Sequence, residues 1–410
     1  MQSSLLFYCI IAIVVIQYLI ERYLEFLNNK SFLKQLPEEL ADVYDQEAYI
    51  KAKAYQQANY RFGNFQSLFS LVLTLTFLFF GGFNAIDTWV KGYTENPTVM
   101  AVLYFGLLFF GSSLLAIPFN YYQTFVIETE FGFNKTNKKT FLLDILKGWL
   151  LAFLFGGGLL ALVIWFLQWA GPNFWLYVWA TFVLVMVFAN LFYSKLIVPL
   201  FNKQKPLEHG PLKTAIEKYA KNVGFNLQNI FVIDGSKRST KANAYFSGFG
   251  KQKRVTLFDT HLNDLNQEEI IAVLAHEVGH YKRKHILFNL FTSLLTTGFT
   301  LYVLSLFVNS PELSLAIGVK TPSYHAALLG FVLLYSPIST FTGLIMNFIS
   351  RKFEFQADDF AKETYAAQPL ISSLKKLSKN NLTNLTPHPA YVFMHYSHPP
   401  LLERIRNLKA

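Results

Sequence analysis

Gly148-WLLAFLFGGGLLALVIWFLQWAGPNFWLYVWATFVLVMVFANLFY-Ser194 carries no Asp, Glu, Lys or Arg. A helix crosses a bilayer with about 20 apolar residues, so this run is too long for one crossing. Ala170-Gly171-Pro172-Asn173 divides it into spans at 148–169 and 174–194. Working outward, further uncharged stretches lie at 2–20, 62–86, 97–127, 286–309 and 321–350. The pattern predicts a mainly α, polytopic membrane protein with seven transmembrane helices. Pro337 in the last span should kink it, which neighbouring helices or water can accommodate.

Composition agrees. Hydrophobic residues make up 52% of the 410, aromatic residues 17% and charged residues 15%, against about 25% charged in soluble domains. Much of the exterior must therefore face lipid. The net charge of +10 does not point to nucleic acid, because the basic residues flank apolar spans, where they meet anionic headgroups. The single cysteine, Cys9, lies in an apolar run, which excludes a disulfide framework and a Cys-rich metal site. The apolar run Leu5–Ile20 has no basic segment before it and no small-residue cleavage pattern, so it reads as a retained first helix.

With seven crossings, one side holds only Lys91 and Lys320, while Arg22, Lys30, Lys34, Lys51, Lys53, Arg61, Lys135, Lys138, Lys139 and Lys147 share the other. The positive-inside rule then puts the N-terminus outside and the C-terminus in the cytoplasm. The chain divides into a membrane part (1–194), a cytoplasmic α+β segment (195–285), two further spans (286–350) and a C-terminal cytoplasmic segment (351–410). Within 195–285, residues 210–223 have helical periodicity and end at Gly224. Residues 230–233 and 253–258 are β-rich runs, which predicts a small sheet. Asn266 can cap a helix with Glu268 and Glu269 in its first turn.

That helix carries His276-Glu277-Val278-Gly279-His280. Positions i and i+4 lie about 40° apart around a helix, so both imidazoles leave one face and can bind one zinc ion. Glu277, rotated by about 100° from His276, suits the general base. Zinc lowers the pKa of a coordinated water towards about 7; the carboxylate can take its proton and pass it to the leaving amine. Catalytic zinc needs a third protein ligand, and Glu354, after the last span, is the best candidate. Asp358, one turn on, is placed to hold a histidine N–H. Spacing alone also allows Arg351, Glu354 and Asp358 to be a charged juxtamembrane helix. His285, just after Lys282-Arg283-Lys284, reads as an interfacial residue.

The chain resembles the zinc-dependent, seven-span CAAX prenyl protease family nearly end to end. The resemblance rests on Glu128-x-Glu130-Phe-Gly-Phe-Asn134-Lys-Thr136, Asn243-Ala-Tyr245, His276-Glu-x-x-His280, Ser350-Arg-Lys-Phe-Glu354-x-x-Ala-Asp358 and Tyr396-Ser-His398-Pro-Pro. It implies a gluzincin-like peptidase with one zinc ion per chain, held by His276, His280 and Glu354, with Asp358 orienting a ligand. It also implies that His398 stabilises the oxyanion and that Arg404 lies near the site. The helices would enclose a water-filled chamber, with substrate adding as a strand beside Asn243, Ala244 and Tyr245. The implied substrate is a peptide or protein, prenylated at a C-terminal cysteine. From the residues alone, Glu128–Thr136 either lines the inner vestibule or caps a loop. The terminus Arg406-Asn-Leu-Lys-Ala410 lacks a dilysine retrieval signal, which leaves the endoplasmic reticulum and a bacterial inner membrane both open. Alternatives are a quality-control metalloprotease acting on non-prenylated substrates, a transporter, and an inactive binding protein.

Overall fold

The computed structural model describes residues 2–32, 36–225, 227, 229–241, 244–247 and 254–410. Among the described residues, six helical stretches are long and apolar enough to cross a membrane: Ser3–Ser31, Gln46–Phe79, Pro97–Glu130, Lys138–Phe201, His285–Phe307 and Tyr324–Thr364. Capping residues fix several of their starts. Asp45 accepts from the Ala48 amide, and Asn96 accepts from those of Thr98 and Val99, relieving donors left free in a first helical turn. The fourth stretch turns at Gly171–Asn173, where Gly171 has φ +55°. Its two halves meet through Phe166 and Trp169 against Tyr177, so the expected division holds.

Other boundaries moved. The second helix begins at Gln46, well before its apolar part, and the expected 87–96 loop starts inside a short helix, Gly82–Lys91. The last of the six stretches, the long helix, runs unbroken from Tyr324 to Thr364. It crosses the expected boundary at 350 without a stop, because Arg351, Lys352 and Glu354 are good helix formers.

Between 6% and 17% of each stretch's most apolar window is buried, with Phe80, Phe153 and Leu184 exposed at 85%, 69% and 71%. Apolar surface on that scale needs a hydrocarbon solvent. At the end away from the polar lobe, Asp87 and His325 are buried and bonded at 2.7 Å, with Lys91 also 2.7 Å from Asp87.

The polar lobe is built on a four-stranded sheet in the order β1 (Gln204–Pro206), β2 (Asn229–Ile233), β4 (Arg254–Phe258), β3 (Ala244–Ser247). β1 and β3 run antiparallel to their neighbours, while β2 and β4 are parallel. β3 is thus an edge strand, its residues Ala244 and Tyr245 opposite Leu257 and Thr256. Ile230, Val255 and Leu257 join Ile270, Ile271, Leu274 and Val278 of the motif helix, Gln267–Lys282, in one core. That helix opens with a complete capping box between Asn266 and Glu269. Buried Glu269 also holds Ser372 and Lys376 of the helix Ala367–Asn380. On its other face the motif helix packs along the long helix, with Gly279 against Ala357. Two small residues let these backbones come close, and the site lies in that cleft.

Candidate metal centre and active site

His276 and His280 leave the motif helix on the face turned to the long helix, from which Glu354 points back. One ligand atom from each of the three lies within 4.8 Å of the others. His280 Nε2 is 3.1 Å from His276 Nε2 and 3.2 Å from Glu354 Oε1, and His276 Nε2 is 3.4 Å from Glu354 Oε2. Glu354 is buried, and its Oε2 accepts no hydrogen bond. A buried carboxylate oxygen without a donor is costly unless a cation meets it.

Asp358, fully buried, accepts from His276 Nδ1 at 2.9 Å and from Arg404 Nη2 at 2.6 Å and Nε at 2.9 Å. Arg404 comes from the C-terminal helix, Leu401–Lys409, and its Nη1 is 3.6 Å from Glu354 Oε2. Its pKa is raised, because Asp358 and Glu354 outweigh the desolvation that burial imposes. Burial also disfavours charge on His276, but the hydrogen bond to Asp358 and the nearby Glu354 carboxylate prevail and raise its pKa to about 9. Two carboxylates converging on two imidazoles, one of their oxygens unpartnered, suit a divalent cation. Two imidazoles and a carboxylate are a donor set zinc accepts, so the residues fit that ion. Glu277 is half-buried beside the cluster and makes no side-chain hydrogen bond among the described residues.

Comparison with known proteins places this geometry. A model for the CAAX prenyl protease N-terminal region, with five membrane helices, matches residues 27–203, and the model for peptidase family M48 matches residues 206–410. The chain belongs to peptidase family M48. CAAX prenyl protease 1 of Saccharomyces cerevisiae is 34% identical, over 96% of this chain and 93% of its own length. A CAAX prenyl protease 1 homolog of Arabidopsis thaliana is 34% identical, over 97% and 96%. The crystal structure of S. mikatae Ste24p aligns with a TM-score of 0.91 and 33% identity, covering 98% of each chain. The M48 chain is accordingly a multi-pass membrane metalloendopeptidase, and the transporter and inactive-binding readings lose their support.

The other expected residues of this M48 peptidase are unevenly placed. His398 reaches the cluster, its Nε2 3.2 Å from Glu354 Oε1, while its side chain stays open to solvent. The surrounding protein lowers its pKa by desolvation, opposed by Glu354 and aided by Arg404. Asn243 lies outside the described residues; Ala244 and Tyr245 are in edge strand β3. The Glu128–Thr136 motif clasps the chain leading to β3. Glu128 pairs with Lys241 at 2.9 Å and accepts from Tyr55 at 2.6 Å. The backbone of Asn134 bridges to Ser239, and the Thr240 amide donates to Phe133.

Sequence reasoning missed two residues. His285, expected to face the membrane interface, turns its side chain into the protein instead. It is buried, its Nδ1 is 3.0 Å from His280 Nδ1, and its Nε2 is 2.8 Å from Gln356 Oε1. The available signals were its position five residues after His280 and the place of Gln356 two residues after Glu354. Neither is a same-face helical spacing: Lys284, at φ +63°, turns the chain between His280 and His285, and residues i and i+2 of the long helix point about 200° apart.

Proposed function

We propose that the protein is a zinc endopeptidase that removes a C-terminal peptide from prenylated proteins at the cytoplasmic face of its membrane. The observation that carries this reading is the convergence of His276, His280 and Glu354 from two separate helices. These three would hold one zinc ion, which supplies Lewis acidity to a water and to the scissile carbonyl. Glu277 would take the water's proton and deliver it to the leaving amine. Donation from the open side chain of His398 to the developing oxyanion would stabilise it. Arg404 and Asp358 would hold His276 in the tautomer that leaves its Nε2 free for the metal. The outer edge of β3, unpaired in the sheet among the described residues, is suited to a substrate strand, with backbone pairing at Asn243, Ala244 and Tyr245 and side-chain pockets setting preference. Arg404, expected at the substrate, is instead buried and paired with Asp358, so its charge would act on the ligand side of the centre.

The prenylated substrate is favoured by the names of the relatives, both CAAX prenyl proteases. Counting the fold at Gly171–Asn173 as a return gives seven crossings, and the Lys and Arg distribution then sets the lobe in the cytoplasm. That orientation serves the endoplasmic reticulum and a bacterial inner membrane alike.

Purified parent, Glu277→Gln and Glu354→Ala proteins test the reading with a fluorogenic peptide and zinc analysis. Glu277→Gln should abolish hydrolysis, by about 100-fold or more, with zinc retained, while Glu354→Ala loses both. Glu277→Gln cleaving as fast as the parent would refute the mechanism. Equal cleavage of prenylated and unprenylated peptides would refute the substrate class and favour quality control.

A further inference from the structure

His276 and His280 face the cleft in the same way but are supported differently. Behind His276 stands a carboxylate, Asp358, itself held by Arg404. Behind His280 stands a neutral chain: His285, then Gln356. The direction of that chain follows from its last member. An amide oxygen only accepts, so His285 Nε2 carries the hydrogen and donates to Gln356 Oε1. A neutral imidazole has one N–H, so His285 Nδ1 presents a lone pair. It can then only accept from His280 Nδ1–H at 3.0 Å. His280 has thereby used its hydrogen, and its Nε2 lone pair faces His276 Nε2 and Glu354.

We infer that His285, backed by Gln356, is a positioning residue that locks His280 in the tautomer whose Nε2 is free to ligate metal. The inference rests on the zinc reading above and extends it to residues outside the ligand set. The surrounding construction supports it. Lys284 turns the chain so that His285 returns over the motif helix, and the ring lies flat on Phe353, centroids 4.0 Å apart at 7°. Glu354, Phe353 and Gln356 share the long helix. One rigid element thus supplies a ligand, the platform for His285 and the acceptor ending the chain. Neutrality also matters. Zinc with Glu354, Glu277, Asp358 and Arg404 sums to zero formal charge. A second carboxylate behind His280 would make the centre anionic and oppose ionisation of water.

The test is equilibrium zinc affinity of the full-length protein, by competition with a chromogenic chelator, for parent, Glu354→Ala, His285→Phe and His285→Asn. Phe fills the space and keeps the stack on Phe353 but accepts nothing; Asn carries an oxygen near the position of Nδ1. His285→Phe should weaken zinc binding about 10- to 100-fold, and His285→Asn should recover most of that loss. Parent-like affinity in His285→Phe, or an Asn variant no better than Phe, overturns the inference. Should His285→Phe fail to fold, Gln356→Met, at an exposed position, decides: several-fold weaker binding supports the chain and parent-like binding overturns it. A Glu354→Ala protein that binds zinc as tightly as the parent would instead sink the metal reading itself.

Discussion

Substituting Gly279 by Ala adds one methyl group where the motif helix and the long helix touch. A Cβ there would lie 3.1 Å from Ala357 Cα, 3.1 Å from Ala357 O and 3.1 Å from Phe360 Cβ. Carbon contacts settle near about 3.5–4.0 Å, so the helices must separate by roughly half an ångström. Two of the obstructing atoms are backbone and the third is a Cβ, so no side-chain rotation relieves the clash. Overpacking of this kind costs about 1–3 kcal/mol. The replacement also gains about 1 kcal/mol of helix propensity, because glycine is a poor helix former. Fold stability should therefore fall by about 0–2 kcal/mol. Metal binding should suffer more. His276 and His280 lie on one helix and Glu354 on the other, and ligand distances must hold within about 0.2 Å. If closing the cleft around zinc re-imposes about 1–3 kcal/mol of strain, affinity falls about 5- to 150-fold. Chelator competition reads the affinity and thermal melting of the metal-free protein reads the fold. A Gly279→Ala protein that binds zinc as the parent does, with a raised melting midpoint, would refute the argument that this contact sets the cleft.

Asp358→Ala strips Arg404 and His276 Nδ1 of their buried acceptor and should cost about 3–5 kcal/mol in denaturant unfolding; Asp358→Ala with Arg404→Leu should cost less, since no charge is stranded. A double variant no more stable than the single would argue against that coupling. Proton competition at His276 makes zinc affinity pH-dependent. Its pKa, raised to about 9, means the metal-free site carries a proton at neutral pH that zinc must displace. Apparent affinity should rise about tenfold per pH unit towards pH 9 and then flatten. In the metal-free protein the same shift stabilises the fold fully below about pH 6.5 and is lost as pH climbs through about 9; pH-resolved melting checks the sign. Asp87→Ala leaves buried His325 and half-buried Lys91 without their carboxylate at the far end of the spans. It should lower the melting midpoint while leaving zinc affinity unchanged, and a matching loss of zinc would mean the two ends are coupled.

How far the sequence reveals such a site depends on the range of the interaction concerned. Apolar runs announce the membrane helices because lipid contact is a property of each segment alone, and the break at Gly171-Pro172 is likewise local. The pair His276 and His280 is legible for the same reason: one helix carries both. For Glu354 and Asp358 the sequence offers only their position after the last span, which a charged surface helix would share, because spacing holds no information about which helices pack together. Gly279 and Ala357 decide that, and a small residue in a helix looks the same whether it faces a neighbour or nothing. His285 is the clearest case. Its basic neighbours, Lys282 to Lys284, suggest a membrane interface, yet the left-handed turn at Lys284 redirects the ring inward. The clasp of Glu128 on Lys241 joins segments whose partnership no periodicity encodes. Local chemistry thus names the first two proposed ligands, while the proposed third and the groups proposed to orient them come from helix packing. The close contact at Gly279 therefore belongs to the chemistry as much as the histidines beside it.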